Sequence, residues 1–240
     1  MNFANFKALS FDCYGTLIDW ESGILALLRP WADSHGLEVT DDELLASYGD
    51  HESRAELDHP TLPYPEILAR SFLGVGDQWG ADVSLEDGRR LGQSVGDWPA
   101  FDDSASALQT LAQRYRLIIL SNVDRDSFAL SQQKLGVTFD RVLTAQDIGS
   151  YKPAGRNFKT LLAETERMGV NAGELLHVAQ SLFHDHAPAK QYGLATVWIN
   201  RRAGRQGWGA TPAPAADVVP TAEFTNMADF ARAVEQELTP

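Results

Sequence analysis

A single cysteine, Cys13, stands in a chain of 240 residues, so no disulfide can form within it and a reducing cytoplasm is expected. Basic residues are scarce. Twenty Lys and Arg against 33 Asp and Glu leave a net charge of −13, which argues against nucleic acid or an anionic membrane as the main partner. A small anionic substrate is not excluded, because donors inside a cleft outweigh distant charge that salt screens over about 10 Å. Long apolar runs are missing as well. No stretch approaches the roughly 18 residues that span a bilayer, and Met1 to Lys7 lack the basic region and apolar core of a signal peptide. A soluble cytoplasmic protein is expected, with one large domain or a main domain carrying a smaller inserted one.

What the chain does have is alternation. Ala8–Phe11 reads as a strand that ends in Asp12, and Gly15 allows a sharp turn just beyond. Trp20–His35 reads as a helix stopped by Gly36. From Asp41 to about Trp98 the pattern stays helical, broken at Pro60, Pro63 and Pro65, with no buried strand. Four further strands follow: Leu117–Leu120, Val142–Thr144, Leu175–Ala179 and Ala195–Ile199. Helical stretches at 105–114, 127–135, 157–168 and 188–192 separate them. This predicts an α/β fold, a doubly wound parallel sheet with an all-helical insertion over its edge. The stretch Ala203–Pro220, rich in Gly, Pro and Ala, reads as an irregular surface segment, and Met227–Leu238 as a closing helix.

Every strand ends in polar residues. The first offers Asp12 and Thr16, and the second Ser121, Asn122 and Asp124. Beyond the third lie Ser150-Tyr151-Lys152-Pro153, and the fourth leads into Ser181, His184, Asp185 and His186. Taken singly these are plain residues: Lys152 a solvated lysine, Asn122 a turn former, His184 and His186 surface histidines. A parallel sheet nonetheless gathers its strand ends on one edge, where such sheets bind ligands. There a carboxylate, hydroxyls, an amide, an ammonium and a second carboxylate converge, and Asp12 can act as a nucleophile through an ester or acyl phosphate. Cys13 follows Asp12 on the strand and should point to the opposite side. Trp20, Trp79, Trp98 and Trp198 read as packing residues, Trp20 lying where it can also line the pocket.

Four segments, Phe11-Asp12-Cys13-Tyr14-Gly15-Thr16-Leu17, Leu120-Ser121-Asn122, Tyr151-Lys152-Pro153 and His177–Asp185, resemble the motifs of the haloacid dehalogenase superfamily in family order. The resemblance covers nearly the whole chain. It implies a Rossmann-like core of residues 1–19 and 99–240 and a small helical cap of residues 20–98. Family phosphatases carry an aspartate two residues past the nucleophile, which protonates the leaving oxygen and helps position magnesium; here Tyr14 stands there. A phenol with a pKa about 10 replaces a carboxylic acid poorly in that role. Tyr14 resembles instead the 2-haloacid dehalogenase branch, which attacks carbon and needs no metal or other cofactor.

That branch implies two steps. Asp12 displaces a substituent from carbon 2 of a small carboxylic acid, and water then opens the resulting ester. Lys152 would hold Asp12 ionised, and Asp185 would orient Lys152 or the water. Thr16 and Ser121 would position carboxylate oxygens, helped by backbone N–H groups at helix starts. Asn122 would cradle the leaving group, and Arg54 in the cap is the candidate halide ligand. Phe158 stands where characterised members carry a tyrosine. The opening segment and Ser181–His186 also resemble azetidine-2-carboxylate hydrolases, which imply a strained amine as leaving group, with His184 or His186 supplying its proton. The expected partner is a small 2-substituted carboxylic acid, and homodimers are common in the superfamily. A magnesium-dependent phosphatase and a non-catalytic binding module are the more distant alternatives.

Overall fold

In a computed structural model, which describes residues 1–214 and 217–238, six parallel strands form one sheet. They are β1 (Ala8–Phe11), β2 (Arg116–Ser121), β3 (Arg141–Thr144), β4 (Leu175–Ala179), β5 (Ala195–Ile199) and β6 (Ala222–Phe224), in the order β3-β2-β1-β4-β5-β6. β1 and β4 are buried along their whole length, as a parallel sheet covered on both faces requires. Phe11 pairs with Ile119 on one side and Val178 on the other. Residues 12, 122 and 180 therefore leave the sheet at one edge. Successive strands turn in opposite directions on either side of β1, so that edge is the switch point where ligands bind.

Five helices lie between β1 and β2, and the first four form the insert: α1 (Trp20–Ser34), α2 (Asp41–Asp58), α3 (Tyr64–Trp79) and α4 (Leu85–Gln93). Their starts are written locally. Asp19 accepts from Ser22 N–H, and Thr40/Glu43 and Ser84/Asp87 form reciprocal capping boxes. The chain leaves the sheet at Asp19 and returns at Pro99, whose carbonyl accepts the Asp19 N–H (2.8 Å). Just inside, Gly23 lets α1 close onto Trp98, because a Cβ at Gly23 would lie 2.2 Å from Trp98 Cδ1. The fifth, α5 (Ser104–Leu111), leads into β2, and α6 (Arg125–Leu135), α7 (Ala145–Ile148), α8 (Gly155–Arg167), α9 (Ala187–Gln191) and α10 (Met227–Leu238) follow the later strands. No helix among the described residues is long and apolar enough to cross a membrane.

Two expectations need correction. β6 was not expected: its three residues have no buried run to betray them, and they form a strand because β5 offers an open edge, Val197 pairing with Ala222. The segment 203–220 is irregular, but part of it is not surface. Ala210 and Thr211 are buried, as is the preceding Arg202. Arg202 donates to Glu21 (2.8 Å) of α1 and Asp42 (2.6 Å) of α2, and the Ala210 N–H donates to Glu21 (3.0 Å). The segment thus straps the insert to the sheet. Positions 215–216 of that stretch lie outside the described residues.

Candidate active site

The turn after β1 is built to hold a carboxylate. Gly15 takes a φ of +89°, a value that side chains disfavour, and its N–H donates to Ile18 O. Thr16 then returns over Asp12 and donates its hydroxyl to Asp12 Oδ2 (2.7 Å), while accepting the Gln180 N–H (2.9 Å) from the end of β4. Lys152 meets the other oxygen. Its Nζ donates to Asp12 Oδ1 (2.8 Å), Asp185 Oδ1 (2.7 Å) and Leu120 O (3.0 Å), which uses all three of its protons. Behind them His177 Nε2 faces Asp185 Oδ1 (3.0 Å), and its Nδ1 faces the Ser10 hydroxyl (2.8 Å). With the ring proton on Nε2, Nδ1 accepts from Ser10.

Lys152 is therefore no solvated lysine: it is 2 % exposed. Burial opposes its charge, but the Asp12 and Asp185 carboxylates outweigh that and hold it protonated above the usual lysine range. Burial also works against Asp185, yet Lys152 and His177 hold it well below an ordinary carboxylic acid. Asp12 goes the other way. Burial raises it, with only partial relief from Lys152 and added repulsion from Asp185. The result is a more basic oxygen beside a fixed ammonium, as a nucleophile requires. Burial pushes the Cys13 thiol up instead, and its side chain sits in the apolar core, which suits packing rather than attack.

Across the cavity stands the insert. Tyr14, Trp20, Ser121, Asn122, Gln180 and Ser181 share the lining with Glu52, Glu56, Tyr64 and Thr211. Tyr14 packs edge-on against Trp98, and its hydroxyl pairs with Ser131 (3.0 Å). Asn122 does not face open space: its Nδ2 meets both Glu56 oxygens (3.0 and 3.1 Å) and Lys152 O (3.0 Å), and its Oδ1 accepts the Lys152 N–H (2.7 Å). Ser121 Oγ, Asp185 Oδ2 and His186 Nδ1 are buried with no hydrogen-bond partner.

The histidines and the arginine differ from expectation. His184 lines the cavity, donates its backbone N–H to the Ser181 hydroxyl (2.9 Å) and is 8 % exposed. Burial lowers its pKa to about 4. His186 is buried too, lowered to about 4, with Nε2 donating to Ala179 O (2.9 Å). Neither is a surface histidine, and neither carries a proton to give near neutral pH. Arg54 lies on α2 but lines a neighbouring cavity with His51, Asp58 and Phe183, not the one above Asp12.

Glu52, Glu56, Tyr64 and Thr211 were not singled out from the sequence. Tyr48, Glu52 and Glu56 follow at i, i+4 and i+8 on one face of α2, a readable stripe. In so polar a helix, however, such a stripe looks like a solvated face. Here it is buried: Tyr48 and Tyr64 hydroxyls both donate to Glu52 Oε1 (2.9 Å each). Burial raises Glu52 to about 7, against those two donors, and raises Glu56 well above an ordinary carboxyl, Glu52 adding to it. A group raised in the folded state favours folding most below its unfolded pKa and loses that advantage as pH climbs through 7. Glu52→Gln keeps an oxygen for both tyrosines. It is expected to be nearly neutral at pH 5 and to stabilise the protein by about 2–3 kcal/mol at pH 8.5. Thermal melts of both proteins at the two pH values check this, and a pH-independent difference would refute it.

A magnesium site does not fit these side chains. Tyr14 occupies the place of a second carboxylate with its hydroxyl turned to Ser131, and both Asp12 oxygens are engaged. Among the described residues, no three His, Cys, Asp or Glu side chains are arranged to hold a metal ion.

Comparison with known proteins agrees with this architecture. The (S)-2-haloacid dehalogenase 4A of Burkholderia cepacia is 29% identical over 210 residues, covering 82% of this chain and 84% of that protein. The fold matches the crystal structure of the L-2-haloacid dehalogenase RSc1362, with a TM-score of 0.76 and 22% identity over 96% of this chain and 99% of that one. It also matches the L-2-haloacid dehalogenase of Xanthobacter autotrophicus with chloropropionic acid covalently bound (TM-score 0.74, 20% identity, 96% and 98% covered). A profile for haloacid dehalogenase-like hydrolases matches residues 6–182, the span that carries Asp12, Ser121 and Lys152. On that match the chain belongs to the haloacid dehalogenase-like hydrolase family.

Proposed function

We propose that the protein displaces a substituent from carbon 2 of a small carboxylic acid, using Asp12 as the nucleophile. The observation that carries this is one buried ammonium between two buried carboxylates: Lys152 Nζ lies 2.8 Å from Asp12 and 2.7 Å from Asp185. Asp12 Oδ bonds to carbon 2 and the substituent leaves with the bonding electrons. Water then adds to the ester carbonyl, Asp12 regains its charge, and a 2-hydroxy acid departs with one proton released. Asp185 Oδ2 lines the same cavity without a partner and is placed to accept from that water. The scheme calls on no cofactor.

Residues 20–98 serve as a cap over the core formed by 1–19 and 99–240. The cavity between them is about 30 Å³, room for roughly two waters, so its ligand is small.

Halide is the first leaving group to consider, because the relatives are named as 2-haloacid dehalogenases and one holds chloropropionic acid covalently. A second reading, opening of the strained ring of azetidine-2-carboxylate, is favoured by a specific observation: the cavity has carboxyl groups on its cap side and no guanidinium in its lining.

A single turnover in ¹⁸O water tests the reaction. Mass spectrometry is expected to find the label in the Asp12 peptide and none in the hydroxy acid. Label appearing in the product first would mean that water attacks carbon directly, and the proposal would fail.

A further inference from the structure

We propose that Glu56, backed by Glu52, determines the specificity of this site by receiving a cationic nitrogen attached to carbon 2, the group that Asp12 displaces. The inference rests on the Asp12 reaction above and goes further by assigning the cap-side wall.

The argument starts from what each polar group has left to offer. Lys152 is the one lysine or arginine in the lining, and its three protons are spent on Asp12, Asp185 and Leu120 O. It cannot also serve a substrate. Asn122, the amide that would suit a departing anion, spends its Nδ2 on Glu56 and on Lys152 O. Tyr48 and Tyr64 spend their hydroxyls on Glu52. The Tyr48, Tyr64 and Asn122 donors thus end on carboxyl oxygens, and what Glu52 and Glu56 present to the cavity is an acceptor. An acceptor wall suits N–H groups and repels a leaving halide.

An independent feature points to the other end of the ligand. Ser121 Oγ is buried at the end of β2, lines the same cavity and has no partner. Its hydroxyl is free to donate to a carboxylate. A donor on the sheet side and an acceptor on the cap side together describe a zwitterion, and the narrow cavity restricts it to a small one. An unstrained amine is a poor leaving group, so the nitrogen belongs to a small ring whose opening relieves strain.

The step balances without a further reactant. The nitrogen enters as a ring ammonium; Asp12 Oδ bonds to carbon 2, and the C2–N electron pair stays on nitrogen as a neutral amine. Water adds to the Asp12 ester, and the proton it releases ends on that amine. Glu56, the acceptor that faced the ammonium, can take up this proton and pass it across. No histidine is needed for the transfer.

The test compares kcat/KM for azetidine-2-carboxylate and 2-chloropropionate in the wild type and in Glu56→Gln, which keeps the oxygen that Asn122 meets. The wild type is expected to open the ring, and the variant to lose about 100-fold on that substrate while 2-chloropropionate turnover holds or rises. Equal losses on both substrates would reduce Glu56 to a structural part and overturn the inference. So would a wild type that dehalogenates but leaves the ring intact; the Asp12 reaction would then still stand. With neither substrate consumed and no ¹⁸O entering Asp12, the reaction itself fails. A second measurement does not depend on how Glu56→Gln folds. In Asp12→Asn, calorimetry should find azetidine-2-carboxylate bound at least 10-fold more tightly than cyclobutanecarboxylate, which has the ring and no nitrogen. Equal affinities would count against the proposal.

Discussion

Asp12→Asn is expected to abolish turnover, by a factor on the order of 10⁴ or more, while the protein still folds. Asparagine nearly matches aspartate in shape, so Thr16 and Lys152 keep neighbours at 2.7 and 2.8 Å. What disappears is the negative oxygen, and with it the ester on which the reaction depends. The fold should tolerate the change because Asp12 and Asp185 together exceed the charge of Lys152 by one. Removing one carboxylate leaves a balanced buried pair. The comparison needs steady-state turnover and a thermal melt of both proteins. Substantial activity in a folded variant would remove Asp12 from the mechanism. The acid side of the wild-type rate profile bears on the same oxygen. Protonation silences a carboxylate, and burial raises Asp12, so activity should fall off above the pH at which an ordinary aspartate would titrate.

Lys152→Met should act on stability as well as on rate. Methionine fills much of the lysine volume but leaves Asp12 and Asp185 buried without their common cation. Breaking a buried pair in this way costs about 3–5 kcal/mol. In a chain of this length that lowers Tm by roughly 6–20 °C. Turnover should collapse too, since Asp12 then takes a proton in place of its ion pair. Adding Asp185→Asn to Lys152→Met should recover part of the lost stability, because one of the stranded charges is gone. An unchanged Tm in the single variant would show that the ammonium does not hold these carboxylates together.

These residues were legible before any coordinates because of how parallel sheets work. β1, β2 and β4 announce themselves as short apolar runs, and each ends in a polar residue. Once the strands are parallel, Asp12, Ser121 and the segment 181–185 must share an edge. Lys152, 140 residues from Asp12, follows the third strand and so reaches the same edge; the family motifs add its pairing with Asp12, and the contact is 2.8 Å. The burial of His184 and His186 is not legible, because a short polar stretch carries no sign of it. Only tertiary contacts hide them: Ser53 and Glu56 of α2 lie against His184, and the Ala179 carbonyl accepts from His186. Arg54 was misplaced for a related reason: a position on a helix says which residues share its face, not which cavity that face meets.

The amino-acid order by itself determined the strand–helix alternation, the helical insertion after β1 and the polar strand ends, since these follow from local periodicity and the geometry of parallel pairing. Only the tertiary structure decided what the insertion brings to the cavity. Tyr48, Glu52 and Glu56 look like a solvent face until α2 is laid over the sheet edge, and Thr211 looks like loop until Arg202 and Ala210 strap that loop to α1 and α2. The physical reason is that burial of a charged side chain is settled by the partner surface, about which local sequence says nothing.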